Sequence, residues 1–188
     1  MNHHQALRRQ QPLQRRTQTG VTLVETTVVT SVLAVLTSLA VPSFDGAIQR
    51  RHLEGAAAQL ETDIHYTRTM AVARNAPLRI SFEDGAGGSC YVIHTGAAKQ
   101  CICNAVGTAA CQGEAQAVRS VHFAVGGPVS LKANSQSVLF DPATGTNTPT
   151  ATVKLTAHNG AAIHQIINIM GRVRSCSPAP ALSGYVAC

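Results

Sequence analysis

The sequence predicts an α+β protein: one long N-terminal helix, its first half suited to a membrane, packed on an antiparallel β-sheet domain. Three observations predict it. Residues 21–41 form a 21-residue run, ended by Pro42, in which Glu25 is the one charge; a stretch of ~20 apolar residues is the length that crosses a bilayer as a helix. From Ser43 to Asn75-Ala76-Pro77 apolar residues recur at helical spacing. After Pro77, short β-forming runs alternate with Gly, Asn and Pro clusters.

The elements follow in order. Arg8, Arg9, Arg15 and Arg16 precede Gly20 without an acid among them, which holds the N-terminus on the cytoplasmic side and sends the rest of the chain outward. A secretory signal peptide has a core of ~7–15 residues followed by its cleavage site. Here the core is longer and the glycine precedes it. Glu25 stands out because a lone carboxylate costs ~2.5–3.5 kcal/mol at a membrane helix centre and less near an end. Beyond the span, Phe44, Ile48, Leu53, Ala56, Ala57, Leu60, Ile64 and Ala71 define one helix face, and charges such as Arg50, Glu54, Asp63 and Arg68 fill the others. Pro77 bars continuation. The β runs are 78–82, 91–94, 118–124, 129–131, 137–140, 152–156 and 163–170. A sheet wrapped on the helix buries its apolar face.

Composition bounds the rest. The chain has no Trp, and aromatics make up 4%, so the core is built from small aliphatic side chains. Six cysteines all follow the span, and an even count in an exported domain reads as disulfides. Cys176 and Cys188 bracket the tail and are expected to pair. Cys90, Cys101, Cys103 and Cys111 leave three connectivities open. They lack the paired short spacings of a zinc site, so no metal and no cofactor is expected. His94, His122, His158 and His164 are scattered, and most of them are expected at the surface. No Ser/His/Asp grouping or phosphate loop stands out, so the chain is not expected to be an enzyme.

Gly20, the hydrophobic span and Glu25 in this register resemble the prepilin leader of type IV pilins and pseudopilins. The resemblance implies cleavage after Gly20 by a prepilin peptidase and methylation of the new N-terminus at Val21, where the family usually has phenylalanine. It implies an assembly role for Glu25 in docking subunits, and the type IV pilin-like fold. The chain then divides into a cleaved leader (1–20), the transmembrane and assembly half of the helix (21–42) and a globular domain (43–188) outside the bacterial inner membrane, incorporated into a pilus or pseudopilus beside other pilin subunits. Leu78-Arg79-Ile80-Ser81-Phe82, Leu139-Phe140-Asp141-Pro142 with Gly145, and Ile166 to Arg174 narrow the resemblance to the FimT/GspH group of minor pilins and pseudopilins. That group includes proteins that capture DNA for natural transformation through a C-terminal Gly-Arg-x-Arg motif. Here the motif is Gly171-Arg172-Val173-Arg174.

The formal charge is +6; removing the four leader arginines leaves +2. Distribution tells more. From Ala115 onward Arg119, Lys132, Lys154, Arg172 and Arg174 face Asp141 alone, an asymmetry that attracts polyanions. Alternate residues of an extended segment point to one side, so Arg172 and Arg174 project together, and guanidinium forks suit phosphate oxygens. Lys154, Lys132 and Arg119 extend the patch if the strands place them nearby. No interleaved aromatics support base stacking, so sequence-independent binding of duplex DNA is the form expected. Two function classes remain: a DNA-binding minor pilin, and a structural minor pseudopilin of a type II secretion pseudopilus.

Overall fold

The computed structural model describes residues 20–104 and 107–188, those at 39–43 for their backbone alone. The leader before Gly20, with Arg8, Arg9, Arg15 and Arg16, lies outside the described residues. The chain divides into two units, Met1–Pro42 and Ser43–Cys188, and among the described residues the one helix is α1 (Leu23–Arg74).

In the first unit Thr22 caps α1: its hydroxyl accepts the Glu25 backbone N–H at 3.3 Å. With Glu25 three residues on, this is the sequence of a capping box, a local role that the sequence reading had not assigned. The hydroxyls of Thr26, Thr27, Thr30, Ser31, Thr37 and Ser38 all fold back onto carbonyls three or four residues earlier, at 2.8–2.9 Å. Back-bonding satisfies these polar groups within the helix. The surface that remains is apolar, with Val28, Val29, Val32, Leu33, Val35 and Leu36 all exposed. Among the described residues no helix is long and apolar enough to cross a membrane; the span expected from the sequence runs on into 39–43.

In the second unit Leu53, Ala57, Leu60, Ile64 and Ala71 are buried, one stripe at helical spacing. The helix stops where turn chemistry stops it. Asn75 takes φ +48°, the Ala76 N–H bonds the Ala71 carbonyl and the Asn75 N–H bonds that of Val72. This is a Schellman ending with asparagine at the left-handed position.

The sheet is divided, where the sequence suggested one. The first sheet has five strands in the order β5-β2-β1-β7-β8: β1 (Leu78–Gly85), β2 (Gly88–His94), β5 (Ala117–Ala124), β7 (Ser137–Phe140) and β8 (Asn147–Thr148). The second has four in the order β11-β10-β9-β6: β6 (Val129–Ala133), β9 (Ala151–Ala157), β10 (Ala162–Ile167) and β11 (Val173–Cys176). All pairings are antiparallel within both sheets. A small hairpin of β3 (Cys101–Cys103) and β4 (Ala109–Cys111) completes the set. The sheets join where Ser89 accepts the Leu131 N–H at 2.8 Å. One core of helix stripe and inner strand faces, including Ile80, Tyr91, Ile93, Leu131, Phe140, Val153, Leu155, Ile163 and Ile167, serves both sheets.

Three further points refine what the sequence suggested. The run 163–170 is not one strand: it ends at Ile167, because Asn168 captures the following backbone in a turn. His94 is the exception among the scattered histidines: it is fully buried, with Ser81 Oγ 2.8 Å from its Nε2 and the Thr95 carbonyl 2.8 Å from its Nδ1. Arg119, on β5 of the other sheet, does not extend a patch around Arg172. Its Nη1 lies 3.0 Å from the buried Asp63 carboxylate. The Tyr91 hydroxyl donates to the same carboxylate at 2.6 Å and Gln59 at 3.2 Å. A buried carboxylate must be paired, and helix-to-sheet packing made Arg119 that partner.

Candidate nucleic-acid interface

The four-stranded sheet turns one face to α1, where Gln165 donates to the Ala57 carbonyl at 3.1 Å. Register decides what the outer face carries. Lys132 on β6 stands beside Lys154 on β9, Lys154 beside His164 on β10, and His164 beside Cys176 on β11. Val153, Leu155, Ile163, Gln165 and Ile167 alternate with these residues and are buried. Arg174 lies two residues before Cys176, about 7 Å along the same side of the strand. Arg172 and Arg174 are both exposed, and Val173 between them packs on the core. Among the described residues none of Arg172, Arg174 and Lys154 is ion-paired, whereas Lys132 lies 3.9 Å from Asp84. The basic row is therefore strongest at the β9-to-β11 end.

The β10–β11 turn that presents Arg172 is tightly held. Asn168 Oδ1 accepts the N–H groups of Met170 and Arg172, each at 3.0 Å. The Asn168 carbonyl accepts the Gly171 N–H at 2.9 Å, and its own N–H bonds the Arg172 carbonyl at 3.0 Å. Gly171 takes φ +72°, and a Cβ there would sit 2.9 Å from Cδ of Arg68 and 3.2 Å from its Nε. Glycine suits both the backbone and the space: another residue is strained at this φ and crowds the Arg68 side chain. Arg68, on α1, donates from Nε to the Gly145 carbonyl at 2.9 Å, so it braces the turn from the helix side. Sequence reasoning counted Arg68 as an ordinary helix-face charge. No local signal marks it, because Gly145 lies 77 residues away.

The tail is fastened behind the same strand. Cys176 and Cys188 form a disulfide, closing a loop worth about 3 kcal/mol in the chain-entropy account. Ser177 bonds the Ala162 carbonyl, and Arg50 Nη2 donates to the Ser183 carbonyl at 2.7 Å. The other bridges are Cys90–Cys103 and Cys101–Cys111; the latter pair faces across β3–β4.

His164 sits inside the row with Nδ1 3.5 Å from Cys188 Sγ. Burial first, and then the neighbouring Lys154, hold its imidazole below the ordinary value of 6.5, so it adds little charge at neutral pH. His164, Cys176 and Cys188 bring three potential ligand atoms within 4.8 Å of one another, but the two sulfurs are bonded to each other and carry no thiolate charge for a metal. At the other end of the described chain, Gly20 and Val21 are exposed and Glu25 lies in the first turn of α1.

Residues 56–171, more than half of the chain, match the protein-family model described as Type II transport protein GspH. The chain belongs to that family. It is a minor pilin or pseudopilin of the FimT/GspH type, and its partners are other subunits of that class. Two crystal structures of the type IV minor pilin FimU of Pseudomonas aeruginosa (strain PAO1) resemble it. The one in space group P21 has a TM-score of 0.51 at 17% identity, covering 69% of this chain and 95% of that one. The one in space group P65 has a TM-score of 0.49 at 16% identity, covering 68% and 98%. At 17% identity the likeness to the first is one of fold. No curated protein sequence matches the chain. The family match ends at Gly171, so Arg172, Arg174 and the bridged tail of this GspH-family protein lie just beyond it.

Proposed function

We propose that this protein is a minor type IV pilin that binds duplex DNA without sequence preference through Arg172, Arg174 and Lys154, Gly171 setting the turn, for DNA uptake in natural transformation. The observation that carries the reading is the outer sheet face, where Lys154 on β9 and Arg174 on β11 lie on one side of the sheet, exposed and, among the described residues, outside any ion pair, with exposed Arg172 two residues before Arg174. Neutralising phosphates releases counterions, and each contact contributes ~0.9 to the slope of log affinity against log salt. So few cations bind weakly, and useful capture relies on several subunits acting together.

The anchoring half of the reading rests on Gly20, Val21 and Glu25. A prepilin peptidase cleaves after Gly20, the Val21 amine is methylated, and the segment 21–42, whose apolar side chains from Val21 to Leu36 are exposed, inserts in the inner membrane with the globular unit in the periplasm. Glu25 then pairs with the N-terminal amine of a neighbouring subunit, since an unpaired carboxylate in lipid is costly. The family description favours a second reading, a structural pseudopilin of a type II secretion pseudopilus that does not bind DNA.

The test is a gel shift with residues 43–188 on unrelated duplexes. Arg172→Gln with Arg174→Gln should weaken binding alike on all of them and flatten the salt slope by up to ~2. Wild-type affinity in the double variant places the contact elsewhere. Absence of wild-type binding at low salt leaves the pseudopilin reading.

A further inference from the structure

We infer that Ile169 and Met170, at the tip of the β10–β11 turn, form an apolar wedge that enters between base pairs of the bound duplex and bends it. This inference rests on the DNA-binding reading above and adds a second kind of contact to it. The two side chains are adjacent and 58% and 54% exposed, directly before Gly171 and Arg172. They do not sit on a loose loop. Asn168 fixes the backbone on both sides of them, and the Asn147 N–H holds the Ile169 carbonyl at 2.9 Å. Two apolar side chains are thus pre-positioned at a rigid protruding corner, which lowers the ordering cost of inserting them.

The neighbouring charge identifies the occupant. Arg172 follows the pair by two residues and Arg174 by four, so a ligand touching the tip also meets guanidinium groups along β11. A polyanion with an apolar interior fits both, and duplex DNA offers phosphates on its rim and stacked bases within. Apolar wedges of Ile, Met, Leu or Phe enter base steps in this way and kink the duplex. A lipid surface fits less well, because two side chains present little apolar area beside the length of an interfacial helix face. Insertion favours flexible pyrimidine–purine steps, so the wedge introduces a preference for deformable DNA without reading any base.

The full chain in detergent micelles is titrated into a duplex of about 30 base pairs carrying end labels for energy transfer and 2-aminopurine at a TA step. Wild type should bring the ends closer and raise the 2-aminopurine signal. Ile169→Ser with Met170→Ser should abolish both signals and weaken binding roughly 10- to 150-fold, the scale of burying the exposed halves of two apolar side chains, while the salt slope stays as in wild type. Ile169→Leu with Met170→Leu should restore bending. Wild-type bending by the serine pair overturns the wedge and leaves the basic face standing. A flattened salt slope in the serine pair also overturns it, since the arginines have then moved. Dependence on the two residues for anionic vesicle binding or filament incorporation, but not for DNA, assigns the tip to lipid or to a subunit instead. A wild-type chain that binds no DNA at low salt removes both the wedge and the reading beneath it.

Discussion

Gly171→Ala tests the turn that presents Arg172. The new side chain meets two obstacles. The backbone at φ +72° is left-handed, which costs a residue with a Cβ about 1–2 kcal/mol. That Cβ also lies 2.9 Å from Cδ of Arg68, well inside contact distance, and the flexible arginine must swing away. Moving it forfeits the Nε bond to the Gly145 carbonyl, worth about 1 kcal/mol. Together these give a loss of about 2–3 kcal/mol, or a fall of about 5–10 °C in melting temperature for a unit of this size. The assay is reversible chemical and thermal unfolding of residues 43–188 in a double-mutant cycle with Arg68→Ala. Without the arginine only the backbone cost remains, so Gly171→Ala should cost about 1 kcal/mol less in that background. A Gly171→Ala variant within about 0.5 kcal/mol of wild type would refute the whole argument. An equal cost in both backgrounds would refute the part assigned to Arg68.

Asp63→Ala should destabilise the unit by about 2–3 kcal/mol in denaturant titrations, because it orphans the buried Tyr91 hydroxyl; Arg119→Ala should cost less, since Arg119 is 46% exposed and water replaces it. Burial holds the His94 imidazole below 6.5, so its neutral form is favoured in the folded state. That contribution is complete above the unfolded value and is lost as pH falls from about 6.5 toward the folded value. Stability measured from pH 7.5 down to about pH 5 should therefore decline, and His94→Gln should flatten the decline; an unchanged pH profile would assign it to other groups. Glu25→Ala should leave unit 43–188 folded, by circular dichroism, while reducing the protein recovered in sheared filaments several-fold. Unchanged recovery would remove the proposed assembly role.

What the sequence determined by itself was what nearest neighbours along the chain decide. The apolar stripe from Leu53 to Ala71, the helix end at Asn75 before Pro77 and most strands follow from periodicities of a few residues and from turn chemistry, because the atoms involved are covalently close. The GspH-family motifs were legible for the same reason. The turn at Asn168 was missed, since a β-forming run gives no warning that one asparagine side chain will capture its backbone. Tertiary structure alone decided the rest. Whether Arg119 joins Arg172 or neutralises Asp63, whether His94 faces water or the core, and how the four middle cysteines pair depend on which strand lies beside which. The bracing of Gly171 by Arg68 depends on it too. Those contacts join residues tens of positions apart, and their geometry is set by sheet register and by the packing of the helix onto both sheets, which no local pattern encodes.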